Sequence, residues 1–323
     1  MNKLEHKENF KVVAGSTEEP NNFHFRPKKT SSGFEVTDIP THVDVELTNV
    51  CDLACEFCET LVMKRKQGMM SLETFKTVVD QCEAIGVRSI KLNLWGESLL
   101  NKQLCNMVDY AKQNTSLVLQ FNTNANRLTP EIVRRLILAG LDRMTVSVDG
   151  ITKETYEKLR VKGDYEKVFK NVHRMFELKK ELGSTKPHII MQIIRTTENI
   201  QEVEPFVEYW KDYADEVSVT NIGIVEDVNI MRFSVRGSTK KQARKPCQQP
   251  WQRISIHWDG AVTVCCRDYE GALSIGRIGQ DSLLDLWRGD KLAAFRERHT
   301  KLDFQGLICN TCTDSMDFGN DQQ

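Results

Sequence analysis

The stretch HVDVELTNVCDLACEFC, residues 42–58, runs from alternating apolar and polar residues straight into three cysteines. Its first seven residues predict a strand, being β-branched and alternating. Beyond the cysteines, Ser71 precedes LETFKTVVDQCEAIG, where helical apolar spacing, Glu73 in the first turn and Gly86 at the end predict a helix. The cysteines therefore occupy the loop between a strand and a helix. Further along, the same alternation returns. Strands are predicted at 89–95, 117–123, 143–149, 188–194 and 216–222, with helices at 102–113, 129–140, 153–159, 165–182 and 202–213. Six strand–helix units between about 42 and 222 predict a parallel sheet, either open and doubly wound or closed into a full or partial barrel. Both architectures place functional residues at the carboxyl ends of strands, where the cysteine loop falls.

The remainder of the chain narrows the class. Of 323 residues, 40% are hydrophobic and 28% charged, and the net charge of −1 supplies no overall field for nucleic acid or an acidic membrane. The first residues lack the apolar core of a secretory signal, and apolar runs such as Ile189–Met191 are far too short to span a bilayer, so a cytoplasmic protein is expected. In that compartment ten cysteines are expected as free thiols. Cys82 and Cys105 stand alone and read as core residues. Residues 1–40 are polar and aperiodic, and read as a flexible extension; 41–225 form the main α/β domain and 226–323 a small second one. In that second region RGSTKKQARKPC (236–247) reads as a connector with a solvated basic face, RISIHWDGAVTVCC (253–266) as a hairpin turning at Asp259-Gly260, and 282–299 as helix.

The first cysteine group has the spacing C-x3-C-x2-C, one ligand short of the four that a structural zinc ion takes. Thiolates also hold iron–sulfur clusters, and three of them on a four-iron cluster leave one iron open. Cys51, Cys55, Phe57 and Cys58 resemble, position by position, the C-x3-C-x-aromatic-C signature of the radical SAM superfamily. That resemblance implies a partial (β/α)6 TIM-like barrel with a [4Fe–4S] cluster on Cys51, Cys55 and Cys58. S-adenosyl-L-methionine would sit on the open iron, and its reductive cleavage would give a 5′-deoxyadenosyl radical that abstracts hydrogen from a substrate. It further implies that Gly96 and Glu97 of LWGES hold the methionyl amino group, with Trp95 replacing the family's first glycine. By the same resemblance Asn124 of NTNAN lies near the nucleoside, with Ala125 where the family has glycine. Ser147 and Asp149 of SVDG approach the ribose or the substrate, unless they merely cap the next helix. Arg160 pairs with the methionyl carboxylate, and Phe57 flanks the adenine.

Cys247, Cys265, Cys309 and Cys312 resemble the opening of the SPASM extension of such enzymes, in the abbreviated form called a twitch domain. The resemblance implies one auxiliary [4Fe–4S] cluster on these four, in a small C-terminal iron–sulfur domain. Zinc remains a rival for a four-cysteine set containing a C-x2-C pair. Cys266 reads as a packed neighbour of Cys265. The layout is similar to that of the twitch-domain dehydrogenase of 2-deoxy-scyllo-inosamine, so the leading expectation is a radical SAM oxidoreductase that oxidises a small-molecule alcohol through the auxiliary cluster. The alternatives are a peptide- or protein-modifying maturase or epimerase and, more distantly, a non-catalytic zinc scaffold. The implied partners are a small-molecule or peptide substrate and an electron donor such as flavodoxin or ferredoxin, with neither nucleic acid nor membrane. Arg195, Asn221, His257 and Asp268 are candidate proton acceptors, and none stands out from the sequence.

Overall fold

The computed structural model describes residues 11–14, 28–30, 33–223, 232–235 and 243–317. The strands of its main sheet are β1 (Lys11–Ala14), β2 (His42–Val45), β3 (Ser89–Lys91), β4 (Val118–Thr123), β5 (Arg143–Ser147), β6 (His188–Arg195), β7 (Glu216–Asn221), β8 (Arg253–Ile256), β9 (Ala261–Thr263) and β10 (Ser274–Arg277). They join in one sheet in the order β1-β7-β6-β5-β4-β3-β2-β8-β9-β10. Pairing is parallel from β1 through to β8 and antiparallel in the β8-β9-β10 meander. The helices are α1 (Leu72–Ile85), α2 (Leu104–Asn114), α3 (Pro130–Leu138), α4 (Lys153–Leu159), α5 (Tyr165–Glu181), α6 (Val203–Trp210), α7 (Leu283–Arg288) and α8 (Asp290–Thr300). Strands β2 to β7 with their crossover helices form the partial (β/α)6 barrel.

Local chemistry accounts for the helix starts. Ser71, Thr129, Thr152 and Asp164 each accept a backbone N–H of the first turn, a cap that contributes about 1 kcal/mol. Both faces of the sheet are covered, so all four residues of β2 are buried. Val43, Val45 and Leu47 join Phe75, Val78 and Val79 of α1 in the main core, which also takes Cys82 and Cys105. The intervening residues, His42, Asp44 and Glu46, are polar and need partners. His42 Nδ1 is 2.7 Å from Ser89 Oγ, and Asp44 accepts from Arg253 at 3.2 Å. That pairing holds the carboxyl of Asp44 far below the usual range despite its burial.

Several expectations change. The predicted strand 89–95 ends at Lys91, because Asn93 Oδ1 takes the N–H of Asn122 and Gly96 turns the backbone at φ +74°. The predicted helix 282–299 breaks at Gly289, whose extended backbone ends α7 and begins α8. The hairpin turns at Asp259-Gly260 with Ser255 opposite Thr263, but its first strand also pairs with β2, so the second region continues the barrel sheet. Within the stretch read as a flexible extension, residues 11–14 pair with β7, Phe34 packs on Trp251 at 5.4 Å, and Thr37 O accepts from the Trp287 indole. Residues 1–10 and 15–27, and most of the connector at 236–242, lie outside the described residues.

Candidate functional site

The cysteine loop leaves β2 at the carboxyl end of the barrel and is held from both sides. Ala54 N–H donates to Val161 O, and Cys58 N–H to Cys55 O. Asp52 accepts from Asn124 Nδ2, Asn126 Nδ2 and Arg127 Nε at 3.0, 2.8 and 3.0 Å. Leu53, Cys55 and Phe57 are buried in a small apolar cluster with Leu159, Ile222 and Phe233, and Cys51 and Cys58 pack against it. Burial pushes the thiol of Cys51 up to about 12 and that of Cys55 to about 11. Loading a metal here therefore displaces protons from the sulfurs.

Gly96 and Glu97 follow β3 and press onto this loop. Glu97 N–H donates to Val50 O. Its carboxylate accepts from Thr123 Oγ1 at 2.9 Å, Asn124 N–H at 2.8 Å and Leu99 N–H at 3.1 Å. Burial outweighs these bonds and raises its pKa from 4.5 to about 7. Asn124, expected near a nucleoside, braces the loop through Asp52 and lies 3.9 Å from Cys51 Sγ. Ala125, standing where the family has glycine, adopts the left-handed conformation at φ 59°, a strain of roughly 1–2 kcal/mol.

After β5, Asp149 accepts the Ile194 N–H and forms a buried ion pair with Arg160 at 2.5 Å. Arg160 also lies 3.9 Å from Cys55 Sγ and 5.6 Å from the Phe57 ring, and its Nε has no hydrogen-bond partner among the described residues. Phe57 packs edge-on to Phe233 at 6.0 Å. Ser147 Oγ donates to Gln192 Oε1; Thr152, rather than Ser147 or Asp149, caps the next helix. Of the candidate proton acceptors, Arg195 donates to Asn221, Asp268 accepts from Thr263 and two backbone N–H groups, and His257 is buried with Nε2 unpartnered among the described residues.

The second thiol set comes together from three distant segments. Cys247, Cys265, Cys309 and Cys312 line one cavity of about 330 Å³, including its open mouth, and Cys266 lines it too. Burial raises the thiols of Cys247 and Cys265 well above the free value and that of Cys309 to about 11. Arg244 Nη1 donates to the carbonyls of Cys309 and Cys312 and fixes their turn. Among the described residues no three His, Cys, Asp or Glu side chains gather tightly enough for one ion; a cluster several ångströms across spaces its thiolates more widely.

The two sets are stitched together by residues that carried no sequence signal. Glu270 accepts the N–H groups of Lys64 and Arg65 at 2.8 and 2.9 Å, and Arg65 Nε donates to Tyr269 O. The Arg65 guanidinium forks onto the fully buried Glu46 at 2.6 and 2.8 Å. On the other side, Arg267 Nη1 donates to Gly223 O just beyond β7. Removing one partner of a buried pair strands the other charge, so Arg65→Met is expected to cost about 3–5 kcal/mol, read as a lower denaturant midpoint at unchanged slope. Glu46→Leu in the same chain should recover most of that loss; no recovery would mean the pair is not the origin of the effect.

A parallel partial barrel with these motifs at successive strand ends, beside a second thiol set, defines a radical SAM enzyme carrying an iron–sulfur extension. The Radical SAM superfamily model matches residues 45–225, and SPASM, an iron–sulfur cluster-binding domain, matches 247–313. The chain belongs to the radical SAM superfamily, whose cofactors are S-adenosyl-L-methionine and [4Fe–4S] clusters. Mycofactocin maturase MftC of Mycobacterium tuberculosis is 24% identical over 185 residues, 57% of this chain and 45% of that protein. GTP 3',8-cyclase of Clostridium botulinum is 28% identical over 176 residues, 53% of each. The chain thus spans about half the length of the curated relatives it matches. Among solved structures, BtrN in complex with AdoMet and 2-DOIA aligns with TM-score 0.58 and 18% identity over 85% of this chain and 93% of that one. Streptococcus suis SuiB bound to precursor peptide SuiA aligns with TM-score 0.63 and 14% identity over 86% and 71%. These structural likenesses speak for the fold alone. No helix among the described residues is long and apolar enough to cross a membrane.

Proposed function

We propose that this chain is a peptide- or protein-modifying radical SAM enzyme. Cys51, Cys55 and Cys58 would hold the cluster that binds S-adenosylmethionine, and Cys247, Cys265, Cys309 and Cys312 an auxiliary [4Fe–4S] cluster. The observation that carries the substrate class is the company of the fold: MftC is a maturase, and SuiB is seen bound to its precursor peptide. This moves the weight away from the small-molecule oxidation expected from the sequence. A second reading, oxidation of an alcohol, is supported by the near-complete coverage of BtrN and by the single set of four auxiliary cysteines. In either case an external one-electron donor such as flavodoxin or ferredoxin would reduce the first cluster.

When bound and reduced, the cofactors supply a 5′-deoxyadenosyl radical that takes a hydrogen atom from the substrate. The protein's part is to hold and shield. Glu97, already accepting three hydrogen bonds, would receive the methionyl ammonium. The free Nε–H of Arg160 would meet the methionyl carboxylate while its fork stays on Asp149. Phe57 and its partner Phe233 would exclude water from the apolar side of the cysteine loop.

The raised pKa of Glu97 gives this a pH signature. Between about pH 4.5 and 7 the folded protein keeps a proton that the unfolded chain releases, so this group's contribution to stability falls as pH rises through that window. An ammonium needs the carboxylate, so affinity for S-adenosylmethionine is expected to weaken about tenfold per pH unit below 7. Glu97→Gln should bind weakly at every pH, with that slope gone. Isothermal titration of the anaerobic protein from pH 5.5 to 8 reads both, and an unchanged slope in the variant would remove Glu97 from the role.

The substrate class is decided by isotope transfer. If a short reading frame beside the gene encodes a candidate peptide, that peptide in deuterated form, supplied with enzyme and reductant, is expected to leave deuterium in 5′-deoxyadenosine. Transfer from deuterated 2-deoxy-scyllo-inosamine, with none from the peptide, would replace peptide modification by alcohol oxidation.

A further inference from the structure

The auxiliary cavity holds one polar group that the functions above leave unused. His299, in the last turn of α8, is fully buried and lines the cavity with the thiols. The backbone N–H of Cys247 donates to its Nδ1 at 3.2 Å. An N–H can only donate, so Nδ1 presents its lone pair and the ring proton of a neutral imidazole lies on Nε2. Nε2 has no hydrogen-bond partner among the described residues. The ring otherwise packs against Phe295 at 4.7 Å, Phe304 at 4.9 Å and Trp251 at 6.3 Å, none of which offers an acceptor. A buried donor with nothing to donate to is costly, and here it stands in a cavity lined by sulfur.

We propose that His299 donates a hydrogen bond from Nε2 to a sulfur of the auxiliary cluster, and that this bond raises the reduction potential of that cluster. The inference rests on Cys247, Cys265, Cys309 and Cys312 being its ligands. A hydrogen bond to sulfur favours the reduced state, which carries one more negative charge, and such bonds are among the factors that set cluster potentials. His299 is thus a positioning and tuning residue that makes the second site a better electron acceptor.

The test uses the full chain with Cys51, Cys55 and Cys58 replaced by alanine, so that only the auxiliary set loads and titrates. His299→Phe is expected to keep about four irons per chain and to move the midpoint, read by electron paramagnetic resonance in a redox titration, to a more negative value. His299→Gln, which carries an N–H at similar reach, should recover part of the shift. An unchanged midpoint in His299→Phe, or no recovery in His299→Gln, would overturn the proposal. Pulsed measurement of nitrogen coupling in the protein with His299 intact decides the matter even where a variant does not load. A weak imidazole coupling supports the hydrogen bond, whereas no coupling, or the strong coupling of a directly bound nitrogen, overturns it. Iron analysis of the same parent reads the ligand assignment separately, since loss of all iron there would overturn that assignment instead.

Discussion

Replacing Cys51, Cys55 and Cys58 together by alanine is expected to abolish 5′-deoxyadenosine formation and to lower iron by about four per chain. The effect should be total because, among the described residues, no further thiol joins the apolar cluster that Cys51, Cys55 and Cys58 share. They are packed around Leu53, Phe57 and Leu159, with Cys82 and Cys105 committed to the main core. The loss should also be selective. The auxiliary cysteines are held by their own supports, Arg244 on the carbonyls of Cys309 and Cys312 and His299 on the N–H of Cys247. Iron and sulfide analysis after anaerobic reconstitution, beside chromatography of the cleavage products, reads both halves. Continued cleavage in the variant would remove the first set from radical formation.

Gly96→Val is expected to be nearly as damaging without touching a thiol. A Cβ at this position would lie 2.6 Å from the carbonyl oxygens of both Thr48 and Val50, and the backbone is at φ +74°. Neither oxygen can withdraw cheaply. Val50 O accepts the Glu97 N–H, and residues 48–50 lead directly into Cys51. Left-handed backbone in a non-glycine residue costs about 1–3 kcal/mol, and a β-branched side chain adds the clash. The larger consequence is displacement of Glu97, so affinity for S-adenosylmethionine should fall by on the order of 10–100-fold, as for lost supports around a bound metal. Calorimetry and a binding titration on the same preparation separate the two effects. Unchanged affinity would show that the close approach of Gly96 to the cysteine loop does not position Glu97.

How much of this was legible in the residues follows from the range of the interactions. Periodicity is local, so six strands, their crossover helices and the turn at Asp259-Gly260 could be read directly. Cysteine spacing is nearly local too, and it marked Cys51, Cys55 and Cys58; the joining of Cys247 and Cys265 to Cys309 and Cys312 came from the resemblance to the SPASM extension, and the fold gathers those four around one cavity. Long-range pairing was not legible. Nothing in RISI announces that β8 lies beside β2, more than two hundred positions earlier in the chain. Asn93 shortens β3 by a side-chain bond to a different strand, which no strand propensity records. Arg65, Glu46 and Glu270 read as ordinary charges until the fold joins them. His299 ends the predicted helix 282–299 and carried no signal of its own; only the cavity, built from residues 247 to 312, shows that one nitrogen is engaged and the other, among the described residues, is not.

The central claim is that both thiol sets hold four-iron clusters, with three protein ligands at one and four at the other. Its most direct test is the metal content of the chain after anaerobic reconstitution, with a Mössbauer spectrum of the same sample. The account predicts about eight irons and eight sulfides per chain, all in [4Fe–4S] clusters, no zinc, and one cluster whose spectrum changes when S-adenosylmethionine is added. About four irons together with one tightly held zinc would contradict it.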